Sequence, residues 1–144
     1  MAVKPIPEGY HAVTPYLIVD GAAKLIDFLN KTFGATELFR MPAPGGKIGH
    51  AEVKIGDSNI MIADTSAEWG TRPAMLYVYV SNVDETHKRA LSAGATQVKE
   101  PADQFYGDRS SGVNDAFGNY WGIATHIEDV SPEEIERRVK QAHG

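Results

Sequence analysis

Apolar positions in this chain alternate with polar ones in some stretches and recur every three or four residues in others. Tyr16–Val19 and Tyr77–Val80 are short β-rich runs standing 61 positions apart, and β-branched and aromatic residues of this kind favour a pleated, half-buried surface. Behind each run the period lengthens. Ala22, Leu25, Ile26 and Leu29 fall on one helical face, and so do Val83, Thr86, His87, Ala90 and Leu91. Asp20 and Asn82 are the predicted N-caps, with Glu85 three residues after Asn82 as in a capping box. Each helix stops at Gly-Ala-Thr, at Gly34 and at Gly94, where glycine suits the left-handed position past a helix end.

The stretches behind the helices also match. Glu37–Met41, Ile48–Ile55 and Asn59–Asp64 read as strands, separated by a Pro42–Gly46 loop and a tight Gly56-Asp57 turn. Gln97–Lys99, Arg109–Asn114 and Tyr120–Thr125 repeat the series, with Phe117-Gly118-Asn119 turning the last pair. Strand, helix, terminator and three strands recurring in order make an internal duplication. The chain therefore reads as one α+β domain over 1–144, built of two βαβββ modules at about 10–65 and 74–127. Thr65–Pro73 joins them. A tail helix at about 132–141 is opened by Ser131, Pro132 and Glu134.

Composition narrows the function classes. With 144 residues, 42% hydrophobic and 23% charged, the chain can bury a core without staples. Its formal net charge is −5 and its Lys and Arg are scattered among acids, which argues against a nucleic-acid partner. Glu133–Lys140 mixes both signs at helical spacing and reads as a solvated face. No apolar run is long enough for a membrane helix. The opening Met1–Gly9, with Pro5 and Pro7, does not read as a secretory signal, so a cytoplasmic protein is expected. Zero cysteines remove disulfides, thiolate nucleophiles and Cys-ligated metals.

Several motifs carry a resemblance. They are Thr14-Pro-Tyr-Leu-Ile-Val19, Gly49-His-Ala-Glu52, Ile60-Met-Ile-Ala-Asp64 and Tyr106-Gly-Asp-Arg109. Asp115-Ala-Phe-Gly-Asn119 and Trp121-Gly-Ile-Ala-Thr-His126 follow, the latter running into Glu128-Asp-Val-Ser-Pro-Glu-Glu134. Together they resemble the vicinal oxygen chelate superfamily of glyoxalase I, bleomycin-resistance proteins and extradiol dioxygenases, and within it the PhnB-like branch. Ala116 stands where that branch usually has proline. The resemblance implies half-barrel modules with helices outside and a cavity inside, and a homodimer. It also implies one His or Glu metal ligand on each of the first, fourth, fifth and eighth strands. Motif alignment puts Thr14, Ala63, Met75 and Gly122 there, none of them a competent ligand for such an ion. Neither the usual metal nor any other cofactor is expected.

Strand alternation sorts the remaining residues by side. Val13, Leu17 and Val19 oppose Thr14 and Tyr16; Leu76, Val78 and Val80 oppose Met75, Tyr77 and Tyr79. Val53, Ile55, Ile60 and Ile62 take the core, leaving His50, Glu52, Met61 and Ala63 facing inward. Trp121 and Ile123 leave Tyr120, Gly122, Ala124 and His126. His50 and Glu52 share a face and form a candidate acid–base pair, to which His126 would add a second imidazole; the plain alternative is the polar half of an amphipathic strand. Tyr16, Tyr77, Tyr79 and Tyr120, with Met61 and Met75, predict one aromatic cavity for a small molecule. Rings that merely fill a narrow interior are the alternative. Trp69 either covers that cavity or lies on the linker surface. Arg109, beside Phe105 and Tyr106, either clamps an anion in a bidentate fork or pairs with a surface acid such as Asp108. His11 and His87 fit surface or partial burial, and His143 the end of the tail helix. The leading expectation is a metal-free small-molecule-binding protein. The competing ones are a lyase, isomerase or dioxygenase-type enzyme using His50, Glu52 and His126, and a structural dimerisation module with a filled cavity.

Overall fold

In the computed structural model, which describes residues 3–143, both periodicities become the elements they predict. The order is β1 (Tyr16–Val19), α1 (Ala22–Phe33), β2 (Thr36–Ala43), β3 (Lys47–Ile55), β4 (Ser58–Asp64), β5 (Met75–Tyr79), α2 (Val83–Ser92), β6 (Thr96–Asp103), β7 (Asp108–Asn114), β8 (Tyr120–His126) and α3 (Pro132–His143). The side chain of His143 lies outside the described residues, as do Met1 and Ala2. Two four-stranded sheets result, ordered β1-β4-β3-β2 and β5-β8-β7-β6. In the first, β1 runs parallel to β4 with Tyr16 opposite Met61; in the second, β5 runs parallel to β8 with Tyr77 opposite Gly122. The halves repeat down to the rung.

β2 and β6 are longer than the alternation predicts. Their ladders shift register at Glu37/Phe39, Met41/Pro42, Gln97/Lys99 and Lys99/Ala102. As edge strands they bury almost nothing, so no apolar period marks their length. Pro42 and Pro101 are tolerated because an edge leaves one side of the backbone unpaired.

The helix starts bring one correction. Asp20 does not cap α1. Gly21 takes the N-cap at φ 116 with no side-chain cap of its own. Asp64, at the end of β4, accepts from the N–H groups of Gly21 and Ala22 at 2.9 Å each and from Ile48 N–H at 2.7 Å. Thr125, near the end of β8, plays the same part by accepting from Val83 N–H at 2.9 Å. Asn82 caps α2 as predicted, accepting from Glu85 N–H at 3.1 Å. Gly34 ends α1 in the left-handed region at φ 67, and Gly94 follows α2 at φ 106. In α3, Ser131 Oγ accepts from Glu134 N–H at 3.2 Å, while the Glu134 carboxylate turns to Arg137 and Arg138.

Helix α1 lies on the first sheet, α2 on the second, and the helices touch each other. One core runs through both modules, with Leu17, Leu25, Leu29, Val53 and Ile62 joined by Val83, Val113, Trp121 and Ile123. Phe33 of α1 meets Trp121 at a ring separation of 5.5 Å. The opposite sheet faces therefore turn outward, and no closed barrel forms within one chain. Val13, assigned to the core, precedes β1 and is 86% exposed. Asp115 fixes the turn before β8 by accepting from Phe117 N–H, both Asn119 N–H groups and Trp121 Nε1–H at 2.8–3.0 Å. The linker adds a rung to the free edge of β1, Arg72 N–H donating to Ile18 O at 3.0 Å. Among the described residues no helix is long and apolar enough to cross a membrane.

Candidate functional site

Alternation along β3 places His50 and Glu52 on the outward face of the first sheet. His50 Nε2 lies 3.1 Å from Glu52 Oε2, and Tyr16 Oη lies 2.9 Å from His50 Nδ1. Tyr10 donates its phenol proton to the other Glu52 oxygen. That bond from Tyr10, aided by His50 and opposed by burial, holds the Glu52 carboxyl below its ordinary range. Burial and the same carboxylate push Tyr10 up to about 12. An ionised Glu52 accepts the Nε2 proton, which leaves Nδ1 to accept from Tyr16. The result is a continuous chain Glu52–His50–Tyr16. Tyr10 lies ahead of β1 in a stretch without periodicity or motif, so nothing in the sequence pattern marks it.

Tyr16 in turn lines a cavity of about 660 Å³, within the range of small-molecule sites. β1 and β4 contribute Tyr16, Ile18 and Ala63 to its lining, the β2–β3 hairpin contributes Pro44, Lys47 and Gly49, and the linker contributes Ser66, Trp69 and Arg72. Trp69 is held in place. Its N–H donates to Ser66 Oγ at 3.0 Å, its carbonyl accepts from Ser66 N–H at 2.8 Å, and the Arg72 guanidinium lies 5.9 Å from its ring centre. Trp69 is a half-exposed linker residue that lines this cavity, which contains only Tyr16 of the four tyrosines expected together. His50 and Glu52 are not in the wall and reach it through Tyr16, while Met61 sits beside Tyr16 on the neighbouring strand.

The second sheet carries a separate cluster. Asp108, only 3% exposed, accepts from Tyr77 and Tyr79 at 2.8 and 2.9 Å and from His126 Nδ1 at 2.9 Å. His126 Nε2 meets Asp129 at 2.7 Å. Burial pushes the Asp108 carboxyl up, but the bonds from His126, Tyr77 and Tyr79 outweigh it and hold it low. The Asp108 bond first, and Asp129 second, raise His126. Burial, Tyr106 and the bond Tyr77 donates to Asp108 push the Tyr77 phenol far above its usual range, and Tyr79 rises chiefly through Asp108. Tyr120 lies over Gly112.

These placements divide the expected single cavity. Tyr16 and Met61 belong to the first sheet, whereas Met75, Tyr77, Tyr79, Tyr120 and His126 belong to the second. Met75 and Tyr79 are 75% and 61% exposed. His126 spends both ring nitrogens on Asp108 and Asp129 and does not converge with His50 and Glu52. Arg109 pairs with surface acids, as one reading had it, and these are Asp84 and Asp103 at 3.0 Å each. Asp108 faces the tyrosines instead. His87 is buried between Ser111 and Gln97.

Thr14, Ala63, Met75 and Gly122 occupy the four positions at which the resemblance implies metal ligands, and among the described residues no three His, Asp or Glu side chains converge so as to hold a metal ion. Register equates Gly122 with Met61 rather than Ala63, since each pairs with the matching tyrosine of its module. At Gly122 a Cβ would stand 2.6 Å from the Tyr77 ring, so the ring occupies the space a longer side chain needs. Thr14 Oγ1 donates to His11 O at 3.3 Å. The residues at these positions do not fit a hard divalent ion.

A family model for the Glyoxalase/Bleomycin resistance protein/Dioxygenase superfamily matches residues 10–123. The chain belongs to this superfamily. An uncharacterized protein of Mycobacterium bovis is 38% identical over 136 residues, 87% of this chain and 90% of that protein. Among solved structures, TioX from Micromonospora sp. ML1 is 29% identical with a TM-score of 0.64, covering 81% of this chain and all 100% of that one. The PhnB protein from Bacillus cereus is 16% identical with a TM-score of 0.63, covering 80% of this chain and 99% of that one, and shares the fold. The α+β superfamily fold, with two four-stranded sheets and a C-terminal helix, stands as predicted.

Proposed function

We propose that this chain is a small-molecule-binding member of the superfamily, PhnB-like in kind, that works as a cytoplasmic homodimer without a metal or other cofactor. The observation that carries the reading is the cavity of about 660 Å³ lined by Trp69 and Tyr16. Motifs from Thr14 to Glu134 support the PhnB-like assignment. Outward apolar side chains such as Phe39, Met75 and Tyr79 support the dimer, because an uncovered apolar face favours association. The partners are then a small ligand and a second copy, with neither nucleic acid nor membrane. A thermal-shift screen of a small-molecule library tests this. Hits raise the melting temperature of the native chain and lose their effect in Trp69→Ala; a screen with no hit overturns the reading.

A second reading is favoured by the Glu52–His50–Tyr16 chain. It is an enzyme of lyase, isomerase or dioxygenase type in which Glu52 orients His50. His50 Nδ1 takes the phenol proton as Tyr16 Oη accepts one from a bound substrate. Tyr16 is then the group that touches substrate, and His50 and Glu52 act through it. Under this reading His50→Gln abolishes turnover of a screened ligand while leaving its binding intact.

A further inference from the structure

The cavity wall contains an unusual cation. Of the six arginines in the chain, Arg40, Arg89, Arg109, Arg137 and Arg138 each pair with a carboxylate. Arg72 has no such partner among the described residues; its guanidinium donates to Thr71 O at 3.1 Å and lies over the Trp69 ring. Lys47, a second basic residue of the lining, donates to Thr65 O at 3.4 Å. Asp64 also reaches the wall and offsets Lys47, but its oxygens already accept three backbone N–H groups. The cavity is therefore left with a net positive charge, in a chain whose overall charge is −5.

We propose that this cavity selects planar aromatic carboxylates, with the ring against Trp69 and the carboxylate on Arg72 and Lys47. The proposal rests on the binding reading above and adds the ligand class. A guanidinium presents a planar fork that matches a carboxylate with two hydrogen bonds. Its contact with the indole, at 5.9 Å from the ring centre, places it beside the surface the ligand ring would meet. The apolar remainder, from Ile18 to Pro44, suits an aromatic body and offers few donors for a sugar or a polyol.

The test uses 2-naphthoate, its neutral isostere 2-naphthamide and the ringless-π anion cyclohexanecarboxylate, titrated calorimetrically into the native chain. Naphthoate is expected to bind and to quench Trp69 fluorescence, with Trp121 buried in the core as a constant background. Naphthamide and cyclohexanecarboxylate are each expected to bind on the order of tenfold more weakly, the loss of one charge-assisted contact or one stacked ring. Arg72→Gln, on an exposed side chain, removes the preference for naphthoate over naphthamide, whereas Arg40→Gln outside the cavity leaves it unchanged. Equal affinity for naphthoate and its amide, or a naphthoate affinity untouched by Arg72→Gln, overturns the proposal and leaves the binding reading standing. Failure of naphthoate to bind also overturns it, and the binding reading falls with it only if the library screen is empty too.

Discussion

His126 holds Asp108 with one ring nitrogen and Asp129 with the other, and both carboxylates favour its charged form. Its folded value lies above the ordinary 6.5, so its stabilising effect is complete below the unfolded pKa and fades as pH rises through the folded one. Asp108 runs the other way. Its folded value lies below the ordinary 3.8, so its contribution is present above that pH and is lost as acid takes it through the folded value. The pair is strongest in the window between. Side-chain NMR of the imidazole should show His126 titrating above 6.5, and Asp129→Asn should bring the midpoint down. A midpoint at or below that value in the native chain contradicts the clamp. At this scale the sequence exposes His126 but not its partners, because Asp108 and Asp129 belong to the β7 start and a loop that no period connects.

Helix ends show what local sequence can and cannot carry. Gly34 stands at φ 67 with open space where a Cβ would go, so substitution there costs only backbone strain. Gly34→Val should lower unfolding free energy by about 1–2 kcal/mol, read as a shift in denaturant midpoint at constant slope. An unchanged midpoint would remove the terminator role. The stop signal was legible because both its parts sit within one turn of chain. The start of α1 was not: its acceptor, Asp64, arrives from the far end of β4, and Asp20 merely occupies the position where a local cap belongs. Edge strands β2 and β6 were cut short for a related reason, since exposure on both faces leaves no alternation to count.

For the whole molecule, the duplication and the core-facing side of β1, β3, β4, β5 and β8 were legible from periodicity. Which sheet each outward residue joins was not, because alternation assigns a face and says nothing of the tertiary partner; Tyr16 and Tyr77 look equivalent in sequence and lie on different sheets. The cavity walls come from a hairpin tip and a linker, where Trp69 and Arg72 have no pattern to announce them. At micromolar concentration light scattering should give the mass of a dimer, and Met75→Asp, at a site 75% exposed and so harmless to the fold, should weaken dimerisation on the order of tenfold or more. A native monomer at that concentration would sink the homodimer. Chelator should leave the melting temperature unchanged, and elemental analysis should find no stoichiometric Zn, Ni, Mn or Fe. One equivalent of metal, lost in His50→Ala, would promote the enzyme reading.

The rung between Ile18 and Arg72 makes the two modules unequal in one further respect. β1 and β5 hold corresponding edge positions, yet the linker lies along β1 and uses an acceptor that a foreign strand would need. A head-to-tail array requires both edges of a repeat to be receptive. By occupying one, the linker leaves β1 a poor template for an added strand, whereas β5 has no such cover among the described residues.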